Sequence, residues 1–233
     1  MKIRARFEKL QQVKYISHLE LMTFFRRAFR RAGIPLAYSK GFNPHVLLSL
    51  SPPLKVGMTG RNEYFDLELS DEIRIENFIT LVNGELPEGL QIMGAVNIPE
   101  KTKPLMAVIN TAVYVFDMIF SSNIQREEEM INKFLAENSI IITRQRRNKK
   151  DIELDIRPLI SSGELIEPGK WKFQVQCSSQ GNLRVEEISK TLADYFTEVK
   201  FVPVINVERE GLYVKIGADL YNPFDDIVIR ELR

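Results

Sequence analysis

The sequence predicts an α+β fold built as two tandem ferredoxin-like (split β-α-β) modules, each an antiparallel sheet with its helices on one face. Three observations carry this. The first hundred residues alternate strand-type and helix-type patterning in the order β-α-β-β-α-β, and the order recurs less cleanly further on. Between the two stands Pro99-Glu100-Lys101-Thr102-Lys103-Pro104, polar and flanked by proline, as a domain linker is. The expected modules are residues 1–99 and 105–233. A chain of 233 residues and 27.0 kDa with 44% apolar content can fill one large core or two small ones. Its 27% charged and 9% aromatic fractions argue against disorder, collagen-like repeats and coiled coil.

The elements follow in order. Lys2 to Lys9 alternates, with Ile3, Ala5 and Phe7 on one face and Arg4, Arg6 and Glu8 on the other, as a half-buried strand does. Ser17-His18-Leu19-Glu20 fits a capping box, and Gly33 and Pro35 supply a stop, so residues 17–32 form a helix. Ile34 to Tyr38 and Val46 to Leu50 flank the turn-rich Ser39 to His45, and a strand spans Glu63 to Leu69. Asp71 reads as the N-cap of a helix carrying Ile73, Ile75, Phe78, Ile79 and Val82, followed by a strand from Leu90 to about Ile98. The second half gives strands near Ala112–Phe120, Ile140–Thr143, Asp151–Ile156, Trp171–Cys177, Val204–Glu208 and Leu212–Ile216. Helices are expected near Ile124–Glu137 and Val185–Phe196.

Cys177 is the single cysteine, so the chain forms no internal disulfide and holds no cysteine-ligated cluster of its own. The first residues alternate charge with apolar groups, and the apolar stretch Leu105–Phe120 is broken by Asn110, Thr111 and Asp117. A cytoplasmic chain without a membrane span is therefore expected. No P-loop, dinucleotide fingerprint, Gly-x-Ser-x-Gly or zinc-type Cys/His spacing is present, and neither a cofactor nor a metal is expected.

The net charge of +1 conceals an uneven distribution. Residues 1–50 carry ten basic side chains against Glu8 and Glu20, whereas residues 51–100 carry three against nine acidic ones. On a helical wheel, Leu21, Met22, Phe25, Ala28, Phe29 and Ala32 share one face, and Arg26, Arg27, Arg30 and Arg31 form a stripe opposite. Four like charges at this spacing repel, a cost offset if phosphates or an acidic partner lie across them; a plain solvated face is the simpler alternative. In Tyr38-Ser39-Lys40-Gly41-Phe42-Asn43-Pro44-His45, Gly41 and Asn43 permit positive φ, and Lys40, Phe42 and His45 offer a cation, a stacking ring and a polar ring. Such a loop suits a base or nucleotide, or else Phe42 plugs the core. A second basic cluster, Arg144-Gln145-Arg146-Arg147-Asn148-Lys149-Lys150, is expected at a hairpin tip as a phosphate contact. His18, on the apolar side of its helix, is expected to be packed; if it met His45, the two imidazoles could act as acid and base near neutral pH.

The run Lys14-Tyr15-Ile16-Ser17-His18-Leu19-Glu20, continuing through Phe25-Arg26-Arg27-Ala28-Phe29-Arg30-Arg31-Ala32-Gly33-Ile34-Pro35 to Ser39-Lys40-Gly41-Phe42-Asn43-Pro44-His45, resembles a bacterial family called radical SAM-associated or radical SAM-linked proteins. Ser51-Pro52-Pro53-Leu54, Val56-Gly57 and Glu63-Tyr64 extend the resemblance, and Val46 departs from it, standing where a second proline is expected. The resemblance implies a radical SAM enzyme as partner, one that supplies the iron–sulfur chemistry, and RNA as the substrate class; it carries no activity for this chain itself. The leading expectation is thus a non-catalytic accessory RNA-binding protein acting in RNA or ribosome-related modification. Its nucleic-acid contacts would be Arg26, Arg27, Arg30, Arg31, Lys40, Phe42, Asn43, His45, Arg144, Arg146, Arg147, Lys149 and Lys150. Two rivals remain: a metal-independent RNA-processing enzyme using His18 and His45 with Lys40 or Arg27 stabilising charge on phosphate, and a protein-interaction module for the radical SAM partner alone.

Overall fold

The computed structural model describes residues 1–121, 125–146, 150–178 and 181–231. In chain order its strands and helices are β1 (Lys2–Lys9), α1 (His18–Arg31), β2 (Leu48–Leu50), β3 (Thr59–Glu68), α2 (Ile75–Asn83), β4 (Leu90–Ile98), α3 (Leu105–Val108), β5 (Thr111–Asp117), α4 (Glu127–Ala136), β6 (Ile141–Arg144), β7 (Ile152–Asp155), β8 (Ile160–Glu167), β9 (Lys170–Ser178), β10 (Gly181–Asn182), α5 (Val185–Tyr195), β11 (Val207–Ile216) and β12 (Asp219–Tyr221). The fold is mixed α+β, its sheet mostly antiparallel. Two compact units divide it: Met1–Asn110 with Gly211–Arg233, and Thr111–Glu210. Among the described residues no helix is long and apolar enough to cross a membrane.

In the first unit the strand order is β2-β3-β1-β4, each pairing antiparallel, with Ala5 opposite both Phe65 and Ala95. The alternation of β1 decides what covers each face. Ile3, Ala5 and Phe7 join Leu21, Phe25 and Phe29 of α1 and Phe78 and Val82 of α2 in one buried cluster, so both helices lie on that face. Phe7 meets Phe25 edge-on at 5.0 Å between centroids, and Phe65 lies 5.0 Å from Phe25 and 5.6 Å from Phe29. Each phenylalanine so buried contributes roughly 1.5–3 kcal/mol.

The opposite face departs from the outward polar reading of Arg4 and Arg6. Arg4 is fully buried: its guanidinium makes two bonds to the Asp66 carboxylate, at 2.7 and 3.0 Å, and donates to the carbonyls of Pro223 at 2.9 Å and Lys103 at 3.3 Å. Phe224 packs edge-on against Tyr64 at 5.5 Å, and Arg6 sits 5.9 Å above the same ring. Thr102 donates to the carbonyl of Ile229. These contacts group residues 211–233 with the first unit, whereas the sequence assigns everything after residue 105 to the second module; the acceptors for Arg4 come from a segment 219 residues away, which no local pattern encodes.

In the second unit β9 pairs antiparallel with β5 on one side and with β8 on the other, while β6 and β7 form a separate two-stranded ribbon. Its core gathers Phe116, Ile131, Phe134, Trp171, Phe173, Ile188 and Leu192. Glu127, at the start of α4, is buried with its carboxylate accepting from the Trp171 indole at 2.7 Å and from the Gly169 N–H at 2.9 Å. Two expectations change here. Val204–Glu208 and Leu212–Ile216 are not two strands: residues 204–206 form a short 3₁₀ turn and β11 runs unbroken from Val207. In the first unit, Asp71 is not the cap of α2, since its carboxylate takes the adjacent Glu72 N–H and the helix begins at Ile75.

Candidate nucleic-acid interface

Helix α1 forms as its sequence dictates. Ser17 accepts from the Glu20 N–H at 3.3 Å and the Glu20 carboxylate accepts from the Ser17 N–H at 2.9 Å, closing the capping box. Hydrogen bonding to Ser17, side chain first and backbone second, holds the Glu20 carboxyl below its usual range. At the other end Gly33 takes φ +66°, with its N–H on the Arg30 carbonyl and that of Ile34 on Phe29, a Schellman stop. Between these ends Leu21, Phe25, Ala28 and Phe29 are buried, which turns the arginines away from the core.

The four arginines are not equivalent. Arg27 and Arg30 are exposed and, among the described residues, engaged in no ion pair. Arg31 is committed to Glu85, through Nε to the carboxylate at 2.6 Å and Nη2 to the backbone carbonyl at 2.8 Å. Arg26 is half-buried, with its Nε shielded from water and without a hydrogen bond.

The Ser39–His45 loop is closed at its neck. The Ser39 N–H donates to the His45 carbonyl at 2.9 Å, the His45 N–H donates to Ser39 Oγ at 3.1 Å, and Ser39 Oγ lies 2.8 Å from His45 Nδ1. Tyr38 bridges Val46 beneath this. Lys40, Gly41, Phe42, Asn43, Pro44 and His45 are all exposed, and Phe42 is fully so, which excludes its role as a core plug.

His18 and His45 have separate surroundings, and no hydrogen bond or ring contact joins them. His18 is half-buried and lines a crevice of about 10 Å³ with Phe7, Lys9, Ser51 and Glu63, room for about one water. Lys9, Ser51 and Glu63 are buried, and Lys9 Nζ donates to the carbonyls of Ile16 at 2.6 Å and Lys14 at 3.2 Å. Lys9 thereby pins the turn that leads into α1. The sequence held a signal for both charges: Lys9 continues the Ile3-Ala5-Phe7 phase and Glu63 precedes Phe65, Leu67 and Leu69 in the same phase. On the far face of the same sheet, burial raises the Tyr64 hydroxyl pKa above its usual value, with the nearby Arg6 cation pulling the other way.

Of the second basic cluster, Arg144 faces inward. Its Nε and Nη2 clasp the Glu187 carboxylate at 2.6 and 2.7 Å, and Nη2 also donates to the Asn182 carbonyl, so it anchors β6 to α5, committed to a carboxylate where the sequence predicts a phosphate contact. Arg146 and Lys150 are exposed on the segment joining β6 to β7; Arg147 and Lys149 lie outside the described residues. Among the described residues no group of three His, Cys, Asp or Glu side chains is placed to hold a metal ion.

The chain is thus a mixed α+β protein whose first unit bears exposed, uncompensated cations on α1 and an exposed aromatic loop. It belongs to a bacterial family described as "Uncharacterized protein conserved in bacteria (DUF2344)", which it matches over residues 2–185. No curated protein matches its sequence. Among solved structures it is similar to a chain of the "Crystal Structure of a Cbf5-Nop10-Gar1 Complex", with 9% identity and a TM-score of 0.47 over 89% of this chain and 47% of that one. This chain therefore spans less than half the length of that relative.

Proposed function

We propose that this protein is a non-catalytic accessory factor that binds RNA through its first unit and serves a separate radical SAM enzyme in RNA or ribosome-related modification. The observation that carries the reading is the exposed pair Arg27 and Arg30, free of ion pairs, on a unit that also presents Lys40 and Phe42 on a loop with no carboxylate. Cations left uncompensated on a nearly neutral protein suit a polyanion. The radical SAM partner rests on the resemblance of the Lys14–Glu20 and Ser39–His45 motifs, and a chain with one cysteine needs such a partner for cluster chemistry. Two ferredoxin-like modules in tandem are the scaffold we infer. The order β2-β3-β1-β4 supports this for the first, and the succession β5, α4, β8, β9, α5, β11, with the β6–β7 ribbon inserted, supports it for the second.

The test is fluorescence anisotropy of labelled ribosomal and transfer RNA fragments titrated with the purified protein at several salt concentrations. Binding with a steep salt dependence is expected, and the Arg27→Ala/Arg30→Ala variant lowers the slope of log K against log salt by about 1–1.5. Absence of binding at low salt overturns the RNA reading, and salt-sensitive, nuclease-insensitive co-purification with a radical SAM enzyme would then reassign the cations to a protein interface.

A further inference from the structure

We propose that the Lys40–Pro44 tip is a base-stacking platform, and that the RNA this protein takes is single-stranded at that point. The inference rests on the RNA-binding reading and narrows it to a class of substrate.

Three features of the loop lead there. The first is that Phe42 is held out in solvent by a built neck. Ser39 and His45 are tied by two hydrogen bonds between a backbone group of one and an atom of the other, and by a close Oγ–Nδ1 approach, with the Tyr38–Val46 bridge and the Leu47 N–H on the Ala37 carbonyl below. Gly41 takes φ +123°, a conformation that side chains rarely adopt, and has nothing within 4 Å of where a Cβ would stand. The turn that projects the ring therefore depends on the residue before it. The second feature is chemical. From Tyr38 to Leu47 the sequence contains a lysine, two aromatic rings and an imidazole and no acidic residue, and Tyr38, Lys40, Phe42 and His45 are all exposed. A ring flanked by a cation and polar rings matches a base flanked by phosphates; an apolar pocket on a protein would ask for apolar neighbours. The third is geometric. In a duplex the faces of the bases are covered by their neighbours and only edges reach the grooves, so a ring on a loop tip has no face to stack on, whereas unpaired bases in loops and ends offer theirs.

The experiment uses the full chain and a labelled oligoribonucleotide of about 12 residues, single-stranded or annealed to its complement. Wild-type protein is expected to bind the single strand more tightly than the duplex. Phe42→Ala is expected to weaken single-strand binding by about 5- to 150-fold, the effect of one lost base stack, with the duplex affinity and the salt slope unchanged. Phe42→Trp retains the affinity and Phe42→Leu does not, which separates stacking from simple apolar contact. Equal binding of the two RNA forms, or single-strand binding indifferent to Phe42→Ala, overturns the stacking platform and leaves the RNA reading standing. Failure of the wild type to bind either form overturns both, and a protein partner captured equally by wild type and Phe42→Leu, but not by Phe42→Ala, would then name the occupant of the loop.

Discussion

Replacing Asp66 with leucine removes the one carboxylate that, among the described residues, bonds the Arg4 guanidinium, a group with no exposed surface. A buried charge that loses its partner destabilises a protein by about 3–5 kcal/mol, which for a chain of this size lowers the melting temperature by about 6–20 °C. The reciprocal change, Arg4→Met, strands the Asp66 carboxylate and also takes the donors from the carbonyls of Pro223 and Lys103. The double variant Arg4→Met/Asp66→Leu leaves no buried charge at this site. Its residual cost is that of the stranded carbonyls, about 1–3 kcal/mol for the shorter and more deeply buried bond to Pro223, so it is expected to be more stable than either single variant. Urea unfolding followed by circular dichroism on the four proteins closes the cycle. Single-variant losses that simply add in the double, or an Asp66→Leu loss below about 1 kcal/mol, would refute the ion pair as the fastening of this sheet face.

Ser17→Ala removes the N-cap of α1 and is expected to cost about 1 kcal/mol in urea unfolding. Because the Glu20 carboxyl is held below its usual range in the folded chain, its contribution is complete above the unfolded pKa and is lost as pH falls through the lower folded value; Glu20→Gln should flatten that acid limb. Arg144→Ala opens the clasp on Glu187, with an expected loss of about 1.5–3 kcal/mol in stability and unchanged RNA affinity in the anisotropy titration. Trp171→Phe leaves the buried Glu127 carboxylate one donor short, an expected loss of about 1–3 kcal/mol in thermal unfolding.

Local chemistry was legible wherever it was self-contained. The capping box at Ser17 and Glu20, the apolar face of α1 and the strand from Leu90 to Ile98 needed only near neighbours, and each forms as the residues predict. Asp71 misled because an aspartate can satisfy the very next N–H as readily as one two or three residues on. β8 escaped notice since Ser161, Ser162 and Gly163 dilute its strand character, and β11 looked divided because Arg209 and Glu210 interrupt its apolar run. The arginine stripe was half legible: its outward direction follows from helical periodicity, but which members remain uncompensated depends on Glu85, more than fifty residues away. The exposure of Phe42 was beyond reach for a related reason, as an aromatic residue between glycine and asparagine can turn either way until the Ser39–His45 closure fixes it. Lys9 and Glu63 lay in the apolar phase of their strands and so announced their burial, had charge not suggested solvent.

The second unit is an insertion in the chain of the first, and this orders events during synthesis. Arg4 and Asp66 leave the ribosome early, yet the carbonyl that Arg4 needs belongs to Pro223, 219 residues later, an interval of about 10–45 s at cellular elongation rates. Throughout it the sheet face around Arg4 and Tyr64 lacks Phe224, while residues 111–210 emerge as one contiguous stretch. The helix-covered core of the amino-terminal unit lies within residues 3–92 and emerges early, whereas its opposite sheet face is completed last, by the segment that follows the insertion. A nascent chain stalled before residue 211 would present the sheet face around Arg4 and Tyr64 still open, the form of this protein most in need of a chaperone.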